Sequence, residues 1–213
     1  MIRRLAVLAF FAAPLCLPCG VLAQDNHNNF FASVMVDGSK IGQVHFSALH
    51  NDQGDLEELR TKVSFSVFGI KLYDFNQQLH EQWKGNTVAS VNGTTDDNGT
   101  RTAVMVERTP TDFAATLNTK PSTLPLEAFP MSFWHYDITR QTLLFDPADL
   151  SLMTVAVARH DDTVKRGKET LPAERFDFTG AWKGSVWYDT GKQFLQAKYE
   201  SNGRQVTVLM DPD

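Results

Sequence analysis

From residue 30 onward this chain repeats with a period of two, and that alternation limits its fold more than any other feature. Phe30, Ala32, Val34 and Val36 alternate with Phe31, Ser33 and Met35, and Val44, Phe46 and Ala48 with Gln43, His45 and Ser47. Val63, Phe65 and Val67 alternate with Lys62, Ser64 and Ser66. Successive side chains of an extended chain point to opposite faces, so this pattern predicts strands with one apolar face and one wet face. Asp37-Gly38-Ser39, Asn51-Asp52-Gln53-Gly54, Asn92-Gly93, Asn98-Gly99, Asp189-Thr190-Gly191 and Asn202-Gly203 interrupt the runs with residues that tolerate tight hairpin turns. Strands therefore follow one another as an antiparallel meander, roughly ten or more of them, with no helix between successive strands.

Three places vary the rhythm. Residues 118–130 carry Pro121, Pro125 and Pro130 and read as a connection over the surface, followed by a strand at 131–138. Asp146-Pro147-Ala148-Asp149 reads as a capped helical turn, and His160-Asp161-Asp162 as a turn after a strand at 152–158. The expected fold class is all-β: a large curled antiparallel sheet, half-barrel or barrel-like, with one or two short helical turns. An antiparallel sheet of this size must close, split or curl. The chain's fifteen phenylalanines and four tryptophans supply inward bulk for either a filled barrel or a half-barrel around an apolar cavity.

The N-terminus reads as an address. Arg3 and Arg4 precede an apolar run over residues 5–17, and Val21-Leu22-Ala23 forms a small-residue cleavage site before Gln24. Pro14 and Pro18 break the run, and no other stretch approaches the roughly eighteen apolar residues of a spanning helix. Residues 1–23 are thus expected to be a signal peptide, and residues 24–213 a single β-rich domain that is periplasmic or secreted. Both cysteines, Cys16 and Cys19, lie in the leader, so the remaining chain has no disulfide or thiolate chemistry. Without Arg3 and Arg4 the chain carries 18 basic residues against 25 acidic ones, a balance that disfavours nucleic acid and anionic membrane surfaces.

Few residue groups point to chemistry. His80-Glu81 lacks the second histidine of a zinc-protease helix, with Lys84 in its place. Glu81 stands out for another reason: on a strand over residues 73–83 it falls in phase with Tyr73, Phe75, Leu79 and Trp83, which puts a carboxylate on the apolar face. Such a group is either a raised-pKa acid or polar orienter, or lies near a wet strand end beside a basic partner. Alternation over 131–138 places Phe133, His135 and Asp137 on one face and Trp134, Tyr136 and Ile138 on the other, so His135 is either a base next to a carboxylate or a bonded residue of the sheet. No nucleophile elbow, phosphate-binding glycine loop, dinucleotide fingerprint or metal-ligand spacing is found, and no cofactor is expected.

Several segments together resemble an uncharacterised bacterial family of exported β-rich domains of unknown function. They are the opening strand with Asp37-Gly38 and Ile41-Gly42, Glu81-Gln82-Trp83, Thr95-Asp96-Asp97-Asn98-Gly99, Pro130-Met131-Ser132-Phe133-Trp134-His135, and Val186-Trp187-Tyr188-Asp189-Thr190-Gly191. The resemblance implies export and β architecture. At the level of fold, the Gly38–Gly42 opening is also loosely similar to the half-barrels of lipoprotein-localisation factors, which implies an apolar concavity.

The expected function is a non-enzymatic exported domain that binds an apolar or amphipathic ligand, such as a lipid, or an envelope protein. Its candidate lining is Phe65, Trp83, Phe133, Trp134, Trp187 and Tyr188, with Glu81 and His135 as polar orienters; the competing expectation is that these aromatics simply fill the core. The enzymatic alternative is a hydrolase or isomerase using His135 with Asp137 or Glu81.

Overall fold

The computed structural model describes residues 26–51 and 54–212; the leader assigned to residues 1–23 lies outside the described residues, as does the tip of the turn at 52–53. The chain runs out along one arm of a sheet and returns along the other. The first arm is β1 (Asn26–Val36), β2 (Ser39–Asn51), β3 (Gly54–Val67), β4 (Ile70–Lys84), β5 (Thr87–Asp97), β6 (Thr100–Arg108), β7 (Phe113–Leu117) and β8 (Lys120–Leu124). The second is β9 (Phe129–Pro130), a 3-10 turn (Tyr136–Arg140), β10 (Leu143–Phe145), β11 (Leu152–Arg166), β12 (Glu169–Gly180), β13 (Gly184–Tyr188), β14 (Phe194–Ser201) and β15 (Arg204–Met210).

Among the described residues the fifteen strands form one sheet in the order β8 to β1, then β15 to β9, so the first and last strands pair at its centre. All neighbours are antiparallel except β9 and β10. The sheet is not closed, yet residues 125–128 alone connect β8 to β9 at its two ends. Laid flat, so many strands would span roughly 65 Å, whereas the connection reaches about 18 Å at most. The sheet must therefore curl until its edges approach, which makes it barrel-like.

The concave side is filled. Residues 125–150 enter it and contact both arms: Phe129 and His135 meet Trp83 of β4, Trp134 meets Phe46 of β2, and Phe145 meets Phe113 of β7. On the other arm the Tyr188 hydroxyl donates to the Phe133 carbonyl at 2.7 Å. Phe129, Phe133, Ile138, Leu144 and Phe145 join one continuous core with inward residues of both arms, such as Val44, Leu59, Val91, Val106, Phe178 and Val186. Of the two outcomes open at sequence level, the filled interior is the one formed.

The alternation is visible in burial: Leu79, Glu81 and Trp83 of β4 are buried, while His80, Gln82 and Lys84 are exposed. Asn98-Gly99 makes the expected hairpin turn, with φ of +50° and +87°. Four details differ from the sequence expectation. Asn92-Gly93 lies inside β5; a Cβ on Gly93 would stand 2.3 Å from the Leu79 side chain, so close packing is what calls for glycine there. His160-Asp161-Asp162 continues β11, because β12 pairs with it residue for residue as far as Arg166. Residues 118–130 include β8, an edge strand, where Pro121 costs little because only one side is paired. Residues 131–138 are no strand: after Pro130 the chain turns into the core and its polar groups are met locally, His135 N–H by Ser132 carbonyl and Ile138 N–H by His135 carbonyl. The turn at Asp146 is as expected, its carboxylate accepting the Ala148 N–H at 2.7 Å.

Phe145, at the end of β10, is fully buried. Phe145→Ala is expected to cost about 3–5 kcal/mol, because a rigid sheet collapses poorly onto the space left behind. Urea unfolding followed by fluorescence checks this; the midpoint should fall with an unchanged slope.

Candidate functional site

The insertion brings Ser132 and His135 to the end of the barrel where β3 begins and β4 ends, against Glu57, Glu81 and Trp83 of those strands. Register places Glu57 of β3 directly opposite Glu81 of β4. Both sit on the inward face, at 7% and 2% exposure. Two carboxylates facing each other across a ladder repel, and burial adds the cost of removing charge from water.

Glu81 is the more fully engaged of the two. One oxygen accepts the Trp83 indole N–H at 3.2 Å, and the other accepts the Ser132 hydroxyl of the inserted segment in a very short bond. These bonds pull its pKa down, but burial outweighs them and leaves it raised, at about 7. Glu57 is pushed further, to about 9, by burial first and then by the charges of Glu81 and Asp55, against a downward pull from the nearby Trp83 indole. Its Oε2 is buried and has no hydrogen-bond partner. The pair therefore carries no more than one negative charge at neutral pH.

His135 lies flat on Trp83, ring centroids 4.0 Å apart and 20° from parallel. Burial holds its pKa below the usual histidine value, against the pull of Asp137 and Asp55, so the ring is neutral. Its Nδ1 is also buried without a partner.

Glu57 and His135 open into a cleft of about 180 Å³. Phe30, Phe46, Trp134 and Phe194 wall it, and His50, Asp55 and Lys192 are also among its lining residues. Phe30 stacks on Phe46 at 4.8 Å, and Trp134 leans on Phe46 and Phe194 at 6.0 and 6.3 Å. His50 bonds Asp55 at 2.9 Å, and the Lys192 ammonium lies 5.1 Å from the Tyr136 ring centroid. A larger concavity of about 530 Å³ lies over β3 to β7, lined by residues such as Thr61, Gln77, Thr95 and Arg101. Gln77 bonds Thr95 there and Arg101 bonds Asp96, and it holds no buried unpaired group among the described residues.

The sequence candidates divide accordingly. Glu81, Trp83, Phe133, Trp134, His135 and Tyr188 are brought together around the inserted segment. Two are not. Phe65 pairs with Tyr73 towards the far end of the β3–β4 hairpin. Trp187 faces outward, since its neighbour Tyr188 faces in; it packs with Val164, Ala173 and Leu195 and donates to Asp162 at 3.0 Å. Asp137 is on the 3-10 turn and bonds Arg140 at 3.2 Å. Among the described residues no three His, Cys, Asp or Glu side chains group as a metal ion requires.

Glu57 and Ser132 escaped the sequence reading. Glu57 is in phase with Leu59 and Val63, the same signal that marked Glu81, but its meaning comes only from its partner across the ladder.

The chain belongs to a family described as a domain of unknown function, DUF6134, whose model matches residues 33–210. No curated protein matches it. Among solved structures it is similar to a β-barrel-like protein of the unknown-function family DUF1849 from Brucella abortus. The two are 10% identical, with a TM-score of 0.59, over 89% of this chain and 97% of the other. That likeness is one of fold.

Because both carboxyls are raised above their ordinary value of 4.5, folding is favoured most when they are protonated in either state. As pH climbs, the unfolded chain ionises first, so stability falls across the interval from about pH 5 to about pH 9. Thermal unfolding should show a midpoint that falls steadily over that range. Glu57→Gln should flatten most of the slope, since glutamine keeps the shape without the ionisation.

Proposed function

We propose that this protein is an exported, non-enzymatic envelope domain, which receives one small group of an amphipathic ligand or partner in the Glu57–His135 cleft. The observation that carries this is the unpartnered, buried Oε2 of Glu57 beneath an aromatic wall. An unpaired buried carboxyl oxygen lowers stability, and no group among the described residues pairs with this one. The cleft is below the roughly 300–1,000 Å³ of sites that enclose whole small molecules. It suits a head group or side chain rather than an acyl chain, and the larger concavity over the first arm is lined by polar side chains such as Thr61, Gln77 and Thr95 rather than by the apolar surface the half-barrel analogy needs.

An acid–base enzyme using His135 has less support. Asp137 is engaged by Arg140, and Glu81 is sealed beneath Ser132 and Trp83, so neither is free to orient the imidazole.

The full chain, expressed in a bacterial host with its own leader, tests both parts. N-terminal sequencing of the periplasmic protein should begin at Gln24. NMR titration with a panel of small amphiphiles should shift the signals of Trp134, His135 and Phe194, and Trp134→Ala should weaken binding roughly tenfold or more. A protein retained in the cytoplasm with its leader intact would overturn the export reading. A folded protein that shifts no cleft signal with any member of the panel would overturn the binding reading.

A further inference from the structure

The cleft's chemistry narrows the group it receives. Its acids are Asp55 and Glu57, with Glu81 behind them on the neighbouring strand. Of its basic residues, His50 bonds Asp55, burial keeps His135 neutral, and the Lys192 ammonium lies over the Tyr136 ring. An anion entering here would face the carboxyls of Asp55 and Glu57 with Lys192 alone to offset them. A cation would meet the carboxyl of Glu57, whose Oε2 is unpaired, and the rings of Phe30, Phe46, Trp134 and Phe194. Aromatic faces attract ammonium groups, and the Lys192–Tyr136 contact shows one already doing so at this site.

We infer that the cleft binds an organic cation of the alkylammonium class, with Glu57 as its counter-ion and the aromatic wall against its alkyl groups. The inference rests on the binding reading above. At neutral pH Glu57 holds a proton, so one proton leaves to solvent when the ammonium enters: carboxylic acid and free cation become a carboxylate–ammonium pair and a hydrated proton. Asp55, Glu81, His50, His135 and Lys192 are the ionisable groups that face or flank Glu57. Burial, and after it the charges of Glu81 and Asp55, keep its proton on until the cation arrives.

Calorimetry with choline and with its uncharged isostere 3,3-dimethylbutan-1-ol tests this on the wild-type protein. A quaternary ammonium cannot titrate, so any pH dependence belongs to the protein. Choline affinity should rise roughly tenfold per pH unit between about pH 6 and pH 8, with close to one proton released as read from buffer heats. The alcohol should bind at least tenfold more weakly and without pH dependence, and Glu57→Gln should bring choline down to the alcohol's level. Equal, pH-independent binding of the two compounds would overturn the cation inference and leave the cleft a binding site. No binding of either would overturn the cation inference; the cleft reading falls only if the amphiphile panel also leaves its signals unmoved.

Discussion

A connection of four residues, 125–128, joins the two ends of a fifteen-stranded sheet, and the rest of the molecule follows from that shortness. A flat sheet would place those ends several times farther apart than the connection can reach, so the sheet curls. Once curled, its concave face has to be covered or left to water. The segment that continues from the connection covers it, carrying Phe129, Phe133, Ile138, Leu144 and Phe145 into the space between the arms. The insertion is thus topology and core at once. It also sets Ser132 on Glu81 and His135 on Trp83, so the site exists only because the barrel is filled in this way.

The Glu57–Glu81 pair runs against the packing that surrounds it. Beyond Asp55 at its start, the inward face of β3 and of its partner β4 is mostly apolar or neutral, whereas here two buried acids stand opposite each other. Ser132 and Trp83 satisfy Glu81, which accounts for one of them as a link between sheet and insertion. Glu57 keeps one oxygen that no group among the described residues pairs. Buried groups that break local rules in this way cluster at functional sites.

Shared architecture says little about that function. The chain and the Brucella abortus β-barrel-like protein have the same fold at 10% identity, a level at which individual site residues are not comparable. The chemistry this chain presents lies at one end of the barrel: paired acids, a neutral stacked histidine and a wall of four aromatic rings.

Strand character, hairpin turns at Asp37-Gly38, Asn98-Gly99 and Asn202-Gly203, and the placing of Glu81 on an apolar face beside Leu79 and Trp83 were all legible in the sequence. They depend on the two-residue repeat of an extended chain and on local backbone preferences, which neighbours along the chain express directly. The same alternation misled at 131–138, where aromatics in strand-like order belong to a turn held in the core by contacts from distant strands. It also grouped Trp187 with Tyr188, although alternation itself sends adjacent residues to opposite faces. Which acid faces Glu81, which ring covers Trp83 and whether the curled sheet is hollow were decided by the tertiary structure alone. Register and insertion join residues far apart in sequence, and no local periodicity records which of them will meet.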